Sequence, residues 1–279
     1  MITAAGFEKT WKYIDLFKQG LICTVSLSAL TVLFGFILAL ILAMARLSDL
    51  NVFRFLSTKS QRSLQKRGGF AYQLSRFNPV KFLASVYVEV FRATPMLVQL
   101  FIIYYIIFDG VKILPGVKLF GFIRFDRFFP GVVALALNSG AYLSEIIRSG
   151  IQSIDGGQTE AARSLGMSQW KNLRYIVLPQ AIKNILPAIA NEFVTIIKES
   201  SICYTIGVQD IMYAVSSVKG ATYSMAEPLI IATAVYFCLT FPTSKIIAYF
   251  EKKMSAGDHR NAPPSDKKIL RKDSESQSV

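Results

Sequence analysis

The sequence predicts an all-α membrane protein with five transmembrane helices, and three observations support this fold class. First, 52% of the 279 residues are hydrophobic and the mean hydropathy is +0.41, which is more apolar than is usual for a soluble domain. Second, residues 21–45 form a run of 25 residues without a charge, more than the roughly 20 needed to cross the hydrocarbon core. Third, Lys and Arg are unevenly divided between successive loops, as in multi-pass membrane proteins.

The apolar runs place the spans at about 21–45, 83–108, 128–147, 185–206 and 228–249, within a transmembrane domain of residues 20–250. Residues 1–19 carry aromatic side chains among three lysines and predict an interfacial segment before the first span. Residues 251–279 are polar, with almost nothing apolar, and predict a disordered cytoplasmic tail.

The first span also has a feature of a secretory signal peptide, since Ala43 and Ala45 form a small-residue pair of the kind that precedes a cleavage site. The run is too long for the apolar region of a signal peptide, which has roughly 7 to 15 residues, and Arg46 follows it at once. We therefore interpret the run as a membrane span.

The distribution of basic residues predicts the orientation. Segments 46–81, 148–183 and 245–279 together carry 21 Lys or Arg, whereas the segments of the opposite side carry 8. Loops rich in Lys and Arg stay in the cytoplasm, so the N-terminus is predicted outside and the C-terminus inside. These inner loops facing an anionic membrane account for the net charge of +13, and nucleic-acid binding is not needed to explain it.

Two spans contain residues that are costly in lipid. The second span has Arg92 near its inner end, and Pro95 is expected to kink the helix and free a carbonyl. The fourth span holds Lys198 and Glu199, and a charge at the centre of a lipid-facing helix costs about 2.5 to 3.5 kcal/mol. The fourth span is therefore predicted to face protein or water, with its charges paired or lining a cavity.

A polar stretch, residues 160–179, lies between the third and fourth spans on the predicted inner side. Its residues predict a helix, a turn and a second helix. Gly166 provides the positive-φ stop that the first helix needs, Ser168 is placed to cap the second, and Pro179 is expected to end it.

This stretch resembles the EAA loop of ATP-binding-cassette importer permeases. Seven residues agree with that pattern at its spacing: Glu160, Ala161, Ala162, Gly166, Ile176, Leu178 and Pro179. In that family the loop is a cytoplasmic coupling helix that docks on the ATPase subunit. The resemblance implies the type I importer permease fold, with 151–184 as the coupling loop and the seven residues as ATPase-coupling positions.

Further matches resemble the polar amino-acid permeases: the segment 92–99, which departs from the usual pattern by having Ala93 in place of Gly, the run from Asn138 into the coupling loop, and the segment 198–201. They imply a substrate pathway formed by Arg92, Thr94, Gln99, Asn138, Glu199 and Ser200. From the residues alone two alternatives stay open. Arg92 reaches only the membrane interface, or Lys198 and Glu199 form a charge network between helices that touches no substrate.

The resemblance implies an ATP-driven importer of a polar amino acid in the bacterial cytoplasmic (inner) membrane, working by alternating access. Its expected partners are ATP-binding-cassette ATPase subunits, an extracytoplasmic amino-acid-binding protein and a second permease subunit, either a copy of this chain or a relative. The sequence has no P-loop pattern and only one histidine. ATP and magnesium are therefore expected on the partner ATPase, with no catalytic residue, metal site or cofactor on this chain.

Two functions of other classes stay open. An ion-coupled carrier or channel would use the charges of the fourth span as its ion path and would work without ATP. A membrane scaffold would dock a partner through the stretch 160–179 and transport nothing. Neither explains why that stretch has the whole importer pattern at the importer spacing, so the importer is the favoured hypothesis.

Overall fold

A computed structural model describes residues 2–47, 78–109 and 114–261, with side chains described through residue 253, and these residues are almost entirely helical. The elements are, in chain order, α1 (Ala4–Trp11), α2 (Ile14–Leu47), α3 (Pro79–Ala93), α4 (Met96–Phe101, continued by the π-helical segment Ile102–Asp109), β1 (Lys118–Leu119), β2 (Ile123–Arg124), α5 (Phe125–Gln152), α6 (Gly156–Ser164), α7 (Gln169–Asn172, continued by the π-helical segment Leu173–Val177), α8 (Leu178–Glu199, continued by the 3-10 helix Ser200–Ile206), α9 (Ile211–Thr222) and α10 (Ala226–Asn261). The two strands form an antiparallel hairpin in which Lys118 pairs with Arg124.

Helices lie at all five positions where the sequence predicts spans. Among the described residues, three helices are long and apolar enough to cross a membrane alone, at Ile14–Leu47, Phe125–Gln152 and Ala226–Lys253. The pair α3 and α4 passes the same test as one span with a break of 109°. Helix α8 is not in this set because of its polar residues, so its membrane crossing, the total of five and the orientation remain predictions.

Helices α2 and α5 form the centre of the fold, and glycines let them approach closely. A Cβ atom added to Gly140 of α5 would lie 2.8 Å from the Leu38 side chain of α2. On the other helix, Gly35 faces Ser139 in the same way. Small residues of this kind are what close helix packing in a membrane requires, because no water is displaced to drive association.

Helix α8 packs against the C-terminal halves of α2 and α5. Ala181 and Ile185 of α8 are buried in one apolar cluster with Leu143 and Ile147 of α5 and Ala39 of α2. This packing places the start of α8 next to the end of α5, so that α6 and α7 are held together at one end of the helix bundle.

The opposite end is closed by α9, which packs on α2 and α10. Ile211, Val215 and Val218 of α9 are buried against Phe17 of α2. Helix α1, in the predicted interfacial segment, is joined to the start of α10, where the backbone N–H of Thr3 donates to the Glu227 carboxylate at 3.1 Å.

The break in the second span lies at Pro95, where the sequence predicts a kink, and divides the span into two helices. Three sequence-based boundaries are corrected. Pro179 does not end the helix before it, because a π-helical segment leads directly into α8. The α-helical part of the fourth span ends at Glu199. The last helix continues to Asn261, past the predicted start of the tail. Most of the basic loop 46–81 and residues 262–279 of the tail lie outside the described residues.

Candidate functional site

Residues 160–179, called the coupling stretch from here on, have the predicted form of a helix, a turn and a helix. Asp155 caps α6 by accepting a hydrogen bond from the N–H of Gly157 at 2.9 Å. After α6 the chain turns at Gly166, whose φ of +79° is the left-handed conformation that favours glycine. Ser168 then caps α7 through the N–H of Lys171. The turn and the start of α7 are thus set by Gly166 and Ser168, as the sequence predicts, whereas the Asp155 cap is seen only in the structure.

One side of the coupling stretch is fixed to the rest of the protein. Ala162 of α6 and Val177 are buried, and the buried Asn172 donates from Nδ2 to the Thr159 hydroxyl at 3.2 Å, joining α7 to α6. The N–H of Met167 returns to the Ala162 carbonyl at 3.0 Å and closes the turn. These contacts make α6 and α7 one packed unit.

The other side of the stretch exposes large apolar residues. Leu165 is 85% exposed, Trp170 67%, Tyr175 64% and Leu178 39%. Of the remaining predicted coupling residues, Glu160, Ala161, Gly166 and Pro179 are also exposed, and Ile176 is half-buried. Four exposed large apolar side chains within residues 165–178, together with polar residues such as Glu160, are of the kind that a protein contact site uses.

Helix α7 passes into α8 through a wider, π-helical turn. The N–H of Leu178 bonds to the carbonyl of Leu173, five residues back, rather than four back as in an α-helix. Pro179 has no N–H to give to the Tyr175 carbonyl, and the Gln180 side chain donates instead to the neighbouring carbonyl of Ile176 at 2.8 Å. The wider turn lets the chain continue past the proline.

A charge cluster connects α2 and α5 just before the coupling stretch. The Glu145 carboxylate accepts from Arg46 of α2 at 2.6 Å and from both Nε, at 3.1 Å, and Nη2 of Arg148. Arg148 also donates to Gln152, the last residue of α5, at 2.6 Å. The cluster is mostly shielded from solvent and ties the end of the first span to the end of the third. From the sequence, Arg46 is interpretable only as a residue that ends a span.

The second span breaks at Thr94–Pro95, where the backbone becomes extended. Carbonyls next to the break lose the N–H partners that a continuous helix would supply. Side chains bond three of the carbonyls here: the Thr94 hydroxyl donates to the Val90 carbonyl at 2.7 Å, and Nε2 of Gln99 donates to the carbonyls of Phe91 at 2.8 Å and Thr94 at 3.0 Å. Unpaired carbonyls in lipid cost several kcal/mol each, so the replacements stabilise the break.

Asn138 of α5 completes this arrangement. Its Nδ2 donates to Oε1 of Gln99 at 2.9 Å and to the Phe91 carbonyl at 3.2 Å. Gln99 and Asn138 are only 7% and 6% exposed. Three of the predicted pathway residues, Thr94, Gln99 and Asn138, are therefore brought together, but the two amides are buried, and their N–H groups donate to backbone carbonyls, to the Thr94 hydroxyl and, from Asn138, to Gln99.

A cavity of about 620 Å³ opens beside the end of α8. Its lining residues come from α4, α8, the 3-10 helix and α9, and they are Met96, Thr195, Lys198, Glu199, Ser201, Ile202, Tyr204 and Met212. Opposite charges in an otherwise mostly apolar lining are suited to a small zwitterionic molecule. Of the predicted pathway residues, Glu199 lies in this lining.

The structure does not place Ser200 on the cavity. Ser200 is fully buried and its hydroxyl donates to the Ile197 carbonyl at 2.8 Å, whereas the next residue, Ser201, lines the cavity. Arg92 is exposed and its guanidinium lies 5.5 Å from the ring centre of Tyr142, outside the cavity lining. The change from α-helix to 3-10 helix at Ser200 shifts which side chains face the cavity, and the sequence gives no signal for it.

A family model described as "Binding-protein-dependent transport system inner membrane component" matches residues 68–256. The chain belongs to this family. The matched range contains the broken second span, the cavity and the coupling stretch. The chain is accordingly a permease of ABC transport systems and a multi-pass protein of the inner membrane.

Individual relatives of this permease are named for amino-acid transport. The arginine transport system permease protein ArtQ of Bacillus subtilis is 37% identical over 252 residues, which are 90% of this chain and 98% of that protein. The nopaline transport system permease protein NocM of Agrobacterium fabrum is 43% identical over 179 residues, 64% of this chain and 74% of that protein.

Solved structures agree with this assignment. A crystal structure of an amino acid ABC transporter with histidines has a TM-score of 0.72 and 40% identity, covering 91% of this chain and all of that one. The MetNI methionine ABC transporter in inward-facing conformations has a TM-score of 0.57 at 17% identity, covering 85% of this chain and 96% of that one, and shows the fold alone.

Sequence reasoning missed Met96 and Met212 of the permease, which line the cavity. Both are apolar and have no pattern that separates them from lipid-facing methionines. Met96 directly follows the Thr94–Pro95 break, so the break is the one signal that could have indicated its position.

Proposed function

We propose that this permease forms the translocation path of an ATP-driven importer that carries a polar amino acid into the cell by alternating access. The proposal rests on the structure of the coupling stretch. Its helices are packed and hydrogen-bonded to each other, and Leu165, Trp170, Tyr175 and Leu178 are exposed. A segment that transmits motion between two proteins has to be packed firmly within its own chain and has to bind the partner protein through its exposed residues.

The ATPase partner is the proposed occupant of this exposed surface. ATP and magnesium bind to the ATPase, and closure of the ATPase dimer moves α6 and α7. Because α8 continues α7 without a break, the motion passes along α8 to Lys198 and Glu199 at the cavity. Nucleotide hydrolysis then resets the inward-facing state. A second permease subunit and an extracytoplasmic binding protein complete the proposed assembly.

The cavity supports the substrate class. The ammonium group of Lys198 suits the α-carboxylate of an amino acid, and the carboxylate of Glu199 suits its α-ammonium group. The names of the relatives, which include arginine, nopaline and glutamine transport, support the same class. We propose that Glu199 contacts substrate, and that Arg92 lies at the inner interface of the pathway.

The test is uptake of a panel of radiolabelled amino acids into proteoliposomes that contain the permease, its co-purifying ATPase and the binding protein. Wild type is compared with Gly166→Pro, which removes the left-handed turn and the hydrogen bond from the Gly166 N–H to the Arg163 carbonyl. The matched control is Gly121→Pro, since Gly121 also has a positive φ with open space around it but lies in the β1–β2 hairpin.

We expect uptake of one amino-acid class that requires ATP, collapses in Gly166→Pro and persists in Gly121→Pro. Uptake that continues after ATP depletion would overturn the importer and favour an ion-coupled carrier. ATPase binding without any uptake across the panel would favour a scaffold. Equal loss in both proline variants would contradict the coupling role of the stretch.

A further inference from the structure

The break in the second span is held by side chains rather than by packing between its two arms. Residues of both arms, among them Phe91, Gln99 and Ile102, line a cavity of about 190 Å³. The two arms therefore do not fill the space between them at the bend of 109°.

Two of the polar side chains at the break bond the one carbonyl that proline has left without a donor. In an unbroken helix the Phe91 carbonyl would accept from the N–H of residue 95, but Pro95 has none. Gln99 and Asn138 both donate to this carbonyl, at 2.8 and 3.2 Å, and Asn138 also donates to Gln99. We call these two side chains the amide clamp.

The clamp links the break to a neighbouring helix. Gln99 lies on α4, Phe91 on α3 and Asn138 on α5, so one set of bonds joins both arms to the centre of the fold. Met96, the first residue of α4, lines the cavity that holds Glu199. The position of the Met96 side chain thus depends on the angle that the clamp maintains.

We propose that Gln99 and Asn138 are positioning residues of transport: the amide clamp keeps the second span bent and thereby keeps Met96 in the wall of the Glu199 cavity, and neither amide contacts substrate. This replaces the prediction that Gln99 and Asn138 line the pathway. The functional part of the proposal rests on the proposed import of a polar amino acid, whereas the bend itself does not depend on it.

The bend is measured as a distance between spin labels at Leu83→Cys and Ile106→Cys, two exposed positions on opposite arms. Cys238, which is exposed, is replaced by Ser, while Cys23 and Cys203 are buried. Labelled chain is diluted into unlabelled chain so that distances within one chain dominate. At a rise of 1.5 Å per residue the bent span predicts about 20 Å and a straight span about 35 Å.

The first variant is Gln99→Glu, which keeps the shape and the acceptor oxygen but removes the Nε2 donors, with Gln99→Met as the uncharged version. We expect the distance distribution to broaden and lengthen in both. We also expect the amino-acid concentration for half-maximal uptake to rise about tenfold or more, while inserted protein and ATPase binding stay near wild type, because losing the donors of a buried carbonyl shifts an equilibrium on this scale.

The second variant restores a donor without restoring the bend. In Pro95→Ala combined with Gln99→Met, residue 95 regains an N–H for the Phe91 carbonyl, so the helix can run straight. We expect stable, inserted protein with a distance near 35 Å and uptake still defective. If Gln99 served stability alone, this double variant would recover uptake together with stability.

Two results would overturn the proposal. One is a distance that stays near 20 Å in Gln99→Met and in the double variant. The other is a lengthened distance with unchanged half-maximal concentration. If wild type shows no ATP-driven uptake of any amino acid, the proposed function fails, and the distances still decide whether the clamp holds the bend.

Discussion

Pro95 and Pro179 each remove one backbone N–H from a helix, but the chain bends by 109° at the first and continues as a helix through the second. At Pro95 the neighbouring residue is extended and the freed carbonyl is taken up by amide side chains, one of them from another helix. At Pro179 the backbone adapts by itself through the π-helical turn over Leu173–Val177.

The environments of the two prolines explain the difference. The Phe91 carbonyl freed by Pro95 lies beside the buried Gln99 and Asn138 in a predicted span, where it needs a partner from the protein. Pro179 is exposed in the coupling stretch, where water can satisfy a carbonyl. A proline therefore becomes a fixed bend where partners are specified, and a tolerated widening of the helix where they are not.

The largest expected effect is at the amide clamp. Asn138→Leu leaves the buried Oε1 of Gln99 without a donor and should destabilise the permease by about 2 kcal/mol, within the 1–3 kcal/mol typical of an unsatisfied buried group. Thermal unfolding in nanodiscs measures this. The matched control is Asn172→Leu in the coupling stretch, a buried Asn that bonds one hydroxyl and should cost about half as much. An equal or larger loss of unfolding free energy in Asn172→Leu would contradict the view that buried polar groups matter more at the break than in the coupling stretch.

Pro179→Ala should have a smaller effect on stability and with the opposite sign. The new N–H can bond the Tyr175 carbonyl, so an α-helical turn can replace the π-helical one and the permease should gain about 1 kcal/mol. Changing the π-helical turn into an α-helical one shifts the register by one residue, which rotates the preceding segment by about 100° and moves Trp170 out of the proposed ATPase contact. We therefore expect a higher thermal midpoint together with severalfold lower ATP-driven uptake. Uptake at the wild-type rate would show that the π-helical turn has no part in coupling.

Thr94→Val tests the third carbonyl at the break. The Thr94 hydroxyl donates to the Val90 carbonyl at 2.7 Å and accepts from Gln99, so its loss should cost about 1 kcal/mol, measured as the thermal midpoint. Thr240→Val is the control, since Thr240 bonds the Tyr236 carbonyl at 2.8 Å inside an unbroken helix whose own N–H groups satisfy that carbonyl. Equal losses of unfolding free energy in Thr94→Val and Thr240→Val would mean that the hydrogen bonds of Thr94 do not stabilise the break.

The smallest effect is expected at Gln180. Its side chain bonds Ile176 and exchanges hydrogen bonds with Gln158 in an exposed part of the coupling stretch. Because water can replace these bonds, Gln180→Ala should change the free energy of unfolding by less than about 0.5 kcal/mol. The shift of the thermal midpoint measures this change. A loss of unfolding free energy as large as that of Asn138→Leu would show that water does not reach the hydrogen bonds of Gln180.

The parts of this structure that the sequence predicts are those governed by neighbouring residues. The helices follow from apolar runs, and the turn of the coupling stretch follows from Gly166 and Ser168, whose roles the structure confirms. The prediction that Pro179 ends a helix is wrong, because it rests on the N–H that proline lacks in an α-helix and does not anticipate a π-helical turn before the proline.

The hydrogen-bond partners of Gln99 and Asn138 could not be predicted for a different reason. Polar residues within spans indicate either a pathway or an internal hydrogen-bonding network, and the choice depends on which backbone groups lie opposite in space. Phe91, their shared acceptor, lies 8 residues from Gln99 and 47 from Asn138, and it contributes only a carbonyl that every residue has. Ser200 and Ser201 differ only by the local change of helix type, which the sequence does not reveal.

The polarity of α8 affects how the protein is synthesised. Among the described helices at predicted spans, α8 alone is too polar to pass as a span, so it gains little by leaving the insertion machinery for lipid. Of its packing partners, α2 and α5 precede it in the chain and α10 follows it. We therefore expect α2 and α5 to supply part of the surface that α8 needs when it emerges from the ribosome, and moving α8 ahead of α5 by circular permutation should make its insertion less efficient.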